Sequence, residues 1–251
     1  MASKAQIKLV RSLQQKKFRD ELGLFVAEGE KCVEELRKGF ELVSLYREGE
    51  NATRTEIEQM SGLQTPQGTI AVFRQRPADP LQHPVGLPPC GGGRGERLLI
   101  LVLDGVQNPG NLGTIIRTCD WFGVHDIVCS RDTADCYNPK VVQATMGALV
   151  RVRVHYTDLP AWLAGQQCPI YGTLLDGKDL YETLSSPLGR SGGASLIIMG
   201  NEGNGISDPV RPFITHPVRI PSYPKDIETS ESLNVAIATA IVLAEFRRSE
   251  K

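Results

Sequence analysis

Six apolar residues in unbroken succession, 98–103 (LLILVL), run straight into a loop rich in Asn and Gly and then into a segment with helically spaced apolar positions. So short an uninterrupted run fits a strand buried on both faces, the condition of a parallel sheet. Leu112, Ile115, Ile116 and Cys119 share one helix face, and Gly123 supplies the stop. Further strands are predicted at 126–129, 150–156, 170–175, 196–199 and 218–220, and a last helix at 233–246. That helix is apolar on nearly every side, so it needs cover all round, from its own sheet alone or from a partner subunit as well. Strand–helix alternation of this kind predicts an α/β domain with a mostly parallel sheet and helices on both faces.

Upstream, the pattern changes. Strands are predicted at 24–27, 42–47 and 69–73, with a helix at 31–38, while Ile7, Val10, Leu13 and Phe18 mark one face of a single basic helix. The intervening PADPLQHPVGLPPCGGGRGER, 77–97, has the composition of a linker and no hydrophobic period. It divides the chain into a small α/β domain (1–78), a linker (79–97) and a larger domain (98–251).

Charge and cysteine usage narrow the class. The formal net charge is −1, so any nucleic-acid surface must be local. Lys4, Lys8, Arg11, Lys16, Lys17 and Arg19 all precede the first acidic residue, Asp20. Such a run is either a solvated helix face or a phosphate-binding surface. Cys32, Cys90, Cys119, Cys129, Cys136 and Cys168 form no C-x-x-C pair and have no His at ligand spacing. That predicts neither structural zinc nor a disulfide framework, and a reducing compartment. The opening lacks the apolar core of a signal peptide, and no apolar run reaches membrane-spanning length. The expectation is a cytoplasmic chain without membrane contact.

Three loops stand at predicted strand ends, where open α/β sheets bind ligands. The first, 104–114 (DGVQNPGNLGT), turns tightly and leaves amides free at a helix start, with Arg117 on the first helical turns. Alone it could be an ordinary strand–helix turn. The second, 200–205 (GNEGNG), is neither a dinucleotide fingerprint nor a P-loop. Glu202 would repel a phosphate there, so a cationic ligand or one needing a hydrogen-bond acceptor fits better. The third joins Ile220 to the last helix, with Ser230 or Ser232 as N-cap.

Together LDGVQNPGNLGTIIRTCDWFGV, LIIMGNEGNGIS and IPSYPKDIETSESLNVAIATAI resemble, in order and spacing, the SpoU (TrmH-type) family of RNA ribose 2′-O-methyltransferases, within the knotted SPOUT class. NPKVVQATMGAL resembles the segment between that family's first two motifs. KLVRSLQQKKFRDELGLFVAEGEK with TPQGTIAVF resembles its substrate-binding domain. The resemblance implies a trefoil knot in the C-terminal sheet, a homodimer, and S-adenosyl-L-methionine as methyl donor. It implies donor contacts at Gly200, Asn201, Gly203, Ile220 and Leu233, and at Thr173 and Leu174. It implies catalytic roles for Asn111, Arg117, Glu202, Ser232 and Asn234, with Asn111 orienting Arg117 or the ribose. Lys8, Arg11, Lys16, Lys17 and Arg19 are then the RNA-binding residues. The third motif is longer than the family pattern between Pro221 and Ser232, Ala236 stands where Ser is common, and Gln143 stands where a basic residue is frequent.

The chemistry implied is in-line displacement at an activated methyl, in which positioning dominates and no metal is needed. The ribose hydroxyl must lose a proton, and an always-charged guanidinium is an awkward base. Arg117 is therefore expected to combine proton handling with clamping of an RNA phosphate. Ribosomal RNA is the expected substrate, with transfer RNA as alternative. The rival readings are a non-catalytic RNA-binding assembly factor and a nucleotide-dependent oxidoreductase. The intact motif residues weigh against the first, and the absent dinucleotide fingerprint against the second.

Overall fold

A computed structural model describes residues 1–77, 98–185, 194–224 and 232–248. The expected linker 79–97 and Ser230 lie outside these residues.

The larger domain is built on a six-stranded sheet of order β6-β5-β4-β8-β7-β9, with every pairing parallel. Its strands are β4 (Leu98–Leu103), β5 (Asp126–Ser130), β6 (Arg153–Thr157), β7 (Ile170–Asp179), β8 (Ala194–Met199) and β9 (His216–Arg219). Alternate residues of β4 serve two cores. Leu99, Leu101 and Leu103 pack with α5 (Pro109–Trp121), α6 (Pro139–Thr145), α8 (Leu180–Ser185) and α9 (Val235–Arg248). Ile100 and Val102 pack on the other face, with α7 (Leu159–Leu163) and with Ile206 and Val210 after β8. Helices thus cover both faces, as the continuous apolar runs require.

The first domain carries an antiparallel sheet of order β1-β3-β2, from β1 (Leu24–Glu28), β2 (Leu42–Arg47) and β3 (Thr69–Arg74). Its helices are α1 (Lys4–Ser12), α2 (Lys16–Leu22), α3 (Glu30–Leu36) and α4 (Arg54–Met60). One sheet face packs Val26, Ile70 and Val72 against Val10, Leu13, Ile57 and Met60. The other face, with Phe25 and Phe73, joins the core of the larger domain. The Phe25 and Tyr137 rings lie 4.8 Å apart, and the backbone N–H of Arg76 donates to the Tyr137 hydroxyl at 3.1 Å. The two domains therefore share buried apolar surface.

Several expectations are corrected. The single basic helix is two, because residues 13–15 leave the helical path before α2 begins. The strand expected from 150 starts at Arg153; residues Ala148–Val150 form a 3-10 turn. The last helix starts at Val235, and Ser232 does not cap it. Asn234 caps it, its Oδ1 accepting from the amides of Ala236 (3.0 Å) and Ile237 (3.4 Å).

Candidate active site

The loops after β4 and β8 meet at the carboxyl end of the sheet because β4 and β8 are neighbours in register, Leu103 opposite Met199, and Asn234 at the end of the third loop reaches them. The loop after β4 is braced from several sides. The Gly105 amide donates to Ser130 Oγ (2.8 Å), and Asn108 Oδ1 caps α5 through the amides of Gly110 and Asn111. Asp104, buried at the end of β4, accepts from the Ser207 amide at 2.7 Å and so ties this loop to the one after β8. Gly105 requires its left-handed φ of 72°.

The loop after β8 closes on itself through paired backbone hydrogen bonds between Asn201 and Gly205, both 2.9 Å. Asn201 Nδ2 donates to the Gly105 carbonyl (2.7 Å), while its Oδ1 accepts from the amides of Gly203 and Asn204. The Asn201 side chain is thus spent on holding the loops. A Cβ at Gly200 would lie 2.3 Å from the Gly205 carbonyl carbon, so Gly200 is required by the loop's own backbone.

One hydrogen-bond chain links all three loops. Asn111 Nδ2 donates to Glu202 Oε1, and Asn234 Nδ2 donates to Asn111 Oδ1 at 3.0 Å. Because Asn234 Oδ1 faces the α9 amides, both Asn side chains have their orientation fixed, with the donors pointing toward the carboxylate. Asn111 is therefore bonded to Glu202 and Asn234, and Arg117 is not among its hydrogen-bond partners. Arg117 is the ninth residue of α5, further along than the first turns. It is exposed and makes no hydrogen bond or ion pair among the described residues. Ser232 is exposed and stands outside the chain of bonds.

The residues expected around a methyl donor lie on β7, in the loop after β8, just after β9 and just before α9. Thr173 pairs with Val218 of β9, and its Oγ1 donates to the Ile198 carbonyl of β8 at 3.3 Å. Leu174 within β7 and Ile220 just after β9 are half-buried, and Leu233 before α9 is exposed. Apolar side chains together with braced loop backbone suit an adenosyl group. Among the described residues no cluster of His, Cys, Asp and Glu could hold a metal, and no helix is long and apolar enough to cross a membrane.

The basic residues divide. Lys8, Arg11, Lys16 and Lys17 are exposed along α1 and α2. Arg19 is not on that surface. It is buried, its Nη2 paired with Asp135 Oδ2 at 2.6 Å and its Nη1 donating to the carbonyls of Leu13 and Gln14. It joins the two domains instead of facing a ligand. Sequence reasoning also missed Asp104; a carboxylate directly after an apolar strand was its only signal.

Residues 98–244 match the model of the SpoU rRNA Methylase family, a span containing all three loops. The chain belongs to that family. Residues 4–56 match the MRM3-like substrate binding domain, the second module of this SpoU chain. A relative from Bacillus subtilis (strain 168), 23S rRNA (guanosine(2553)-2′-O)-methyltransferase RlmP, is 29% identical over 98% of this chain and 97% of its own. A TrmH-family structure from Porphyromonas gingivalis superposes with TM-score 0.81 at 36% identity, covering 99% of both chains. The AdoMet-bound rRNA methyltransferase of Sinorhizobium meliloti gives TM-score 0.81 at 29% identity, over 99% of this chain and 97% of that one. These matches place the chain among SpoU/TrmH proteins of the SPOUT class.

Proposed function

We propose that this SpoU protein transfers the methyl group of S-adenosyl-L-methionine to a ribose 2′-hydroxyl of RNA, with ribosomal RNA as substrate. The observation that carries the reading is the Glu202–Asn111–Asn234 chain, which binds the three family motifs into one polar cluster beside the donor edge of the sheet. An AdoMet-bound relative of the same overall fold and a full-length relative named for 2′-O-methylation of 23S rRNA guanosine support it.

In this reading Thr173, Leu174, Gly200, Asn201, Gly203, Ile220 and Leu233 form the donor site, several of them through backbone. The bound donor supplies a methyl group already activated on a sulfonium. The protein's work is then to orient the hydroxyl and receive its proton. Glu202 Oε2 remains available when Oε1 accepts from Asn111, so the carboxylate can hold the hydroxyl hydrogen without turning. Arg117 clamps the neighbouring phosphate, where its charge assists proton loss, and Ser232 stands at the same rim. Lys8, Arg11, Lys16 and Lys17 hold phosphates of the flanking RNA.

The protein acts as a homodimer in this proposal. Helices α5 and α9 lie side by side, linked from Asn111–Asn234 at one end to Arg247 Nε donating to the Phe122 carbonyl at the other. Their outer faces expose Trp121 (86%) and Ile237 (55%), large apolar side chains that a second copy would cover. The trefoil knot that the resemblance implies belongs to the same proposal.

The test is site mapping of 2′-O-methylation in total RNA from a deletion strain, followed by restoration with purified protein and S-adenosylmethionine. Loss and restoration of one ribosomal RNA methyl group is the expected result. Loss in transfer RNA would move the substrate assignment, and no loss in any RNA would overturn the activity.

A further inference from the structure

A cleft of about 220 Å³ lies between the two domains, outside the polar chain described above. One wall belongs to the first domain, with Gln14, Glu28, Gly62 and Leu63, and the other to the larger domain, with Pro109 and Lys140. Pro109 opens α5 only two residues before Asn111, so the cleft borders the proposed reaction centre. Its volume falls below the ~300 Å³ at which pockets for drug-sized ligands begin, and suits one planar base.

The polar groups in it are incompletely used. Gln14 Nε2 is buried and has no partner among the described residues. An unpaired buried amide costs free energy unless a ligand or solvent meets it. Glu28 is buried too; its Oε2 accepts from Ser61 Oγ (2.6 Å) and its Oε1 from the Gly62 amide (2.7 Å). Each carboxylate oxygen thus retains accepting capacity. Gly62 brings the two groups together, because a Cβ there would lie 2.3 Å from Gln14 Oε1 and 2.8 Å from its Nε2. No positive φ requires glycine at 62, so the space is what excludes a side chain.

We propose that this cleft binds a guanine base of the substrate RNA beside the methylated ribose. A carboxylate facing two adjacent N–H donors, next to an amide donor facing a carbonyl, is complementary to the N1–H, N2–H and O6 edge of guanine. Adenine lacks that carbonyl, and cytosine offers one amino group beside two acceptors. Leu63 and Pro109 provide apolar walls for the ring faces, and Lys140 stands at the exposed side for a phosphate. The inference rests on the RNA methyltransferase reading, and it adds a base-selecting site to it.

The test is calorimetric titration of the full-length protein with 5′-GMP, 5′-IMP, 5′-AMP and 5′-CMP, with and without saturating S-adenosylhomocysteine. GMP should bind at least about fivefold more tightly than each of the others, IMP included because it lacks the 2-amino group. Gly62→Ala, whose Cβ displaces the flexible Gln14 amide, and Gln14→Met should each weaken GMP about fivefold. Adenosylhomocysteine affinity should stay within about twofold in both, since neither touches the donor edge. Equal affinity for GMP and AMP, or GMP binding unchanged in both variants with native circular dichroism, overturns the guanine site. Absence of adenosylhomocysteine binding would instead strike the methyltransferase reading, and the GMP titration without it would still decide the cleft.

Discussion

The side-chain amide of Asn111 donates to the Glu202 carboxylate across loops that lie 91 residues apart in sequence. Asn111 is in turn held by Asn234, which caps the last helix. A helix terminus, two amides and a carboxylate thus form one polarised line.

Asn234 has two separable jobs. Asn234→Ala removes the cap and should cost about 1 kcal/mol of stability. Asn234→Ser restores a capping oxygen but not the donor to Asn111. Serine should recover the urea midpoint while methylation stays depressed by roughly tenfold or more, the scale of a lost positioning hydrogen bond. Full recovery of activity by serine would show that the link to Asn111 is dispensable.

Arg117 is exposed, so its removal should leave the fold unchanged, within about 0.5 kcal/mol. Single-turnover methylation by Arg117→Ala and Arg117→Lys should nonetheless fall by at least about a hundredfold, with donor affinity altered only a few-fold. Near-normal turnover in Arg117→Ala would remove the Arg117 phosphate clamp from the mechanism.

The Arg19–Asp135 pair predicts strong coupling between the domains. Both side chains are largely buried, so Asp135→Ala leaves a guanidinium without its partner and should destabilise by about 3 kcal/mol or more. Arg19→Met combined with Asp135→Ala should cost less than the two single changes added together, as measured by urea unfolding of all three variants. Because the domains also share the Phe25–Tyr137 contact, deleting the first domain would bare apolar surface, and point changes test the RNA surface more cleanly.

Replacing Lys8, Arg11, Lys16 and Lys17 by Gln should weaken RNA binding and flatten its salt dependence. Four lost phosphate contacts on single-stranded RNA reduce the log–log slope by about three. Adenosylhomocysteine binding should not change. An unaltered slope would place the phosphate track elsewhere.

Asp126 supplies a pH dependence. Burial pushes its carboxyl up, but hydrogen bonds from His155 and Arg153 overcome this and hold it below the ordinary Asp value. A carboxyl lowered in the folded state stabilises above its unfolded pKa, about 3.9, and that contribution disappears as pH falls through the folded value. The urea midpoint should therefore drop below about pH 4, and Asp126→Asn should lower it at neutral pH while flattening the acid slope.

The sequence by itself determined the parallel sheet, because continuous apolar runs such as Leu98–Leu103 have no stable place except between two covered faces. It also marked the three loops, since tight strand-to-helix turns at ligand-binding ends demand Gly and Asn whatever their neighbours. Only the tertiary structure decided what those residues touch. Asn201 as a brace and Asn111 as the partner of Glu202 depend on β4 and β8 lying side by side, and the Asn234–Asn111 bond depends on α9 packing along α5. Arg19 shows the same limit. In sequence it is one more cation in a basic run, yet the turn at residues 13–15 swings it inward to Asp135, 116 residues away. Local periodicity encodes which face of an element is apolar, whereas the partner of a polar side chain is set by which distant segment the packing of those faces brings within reach.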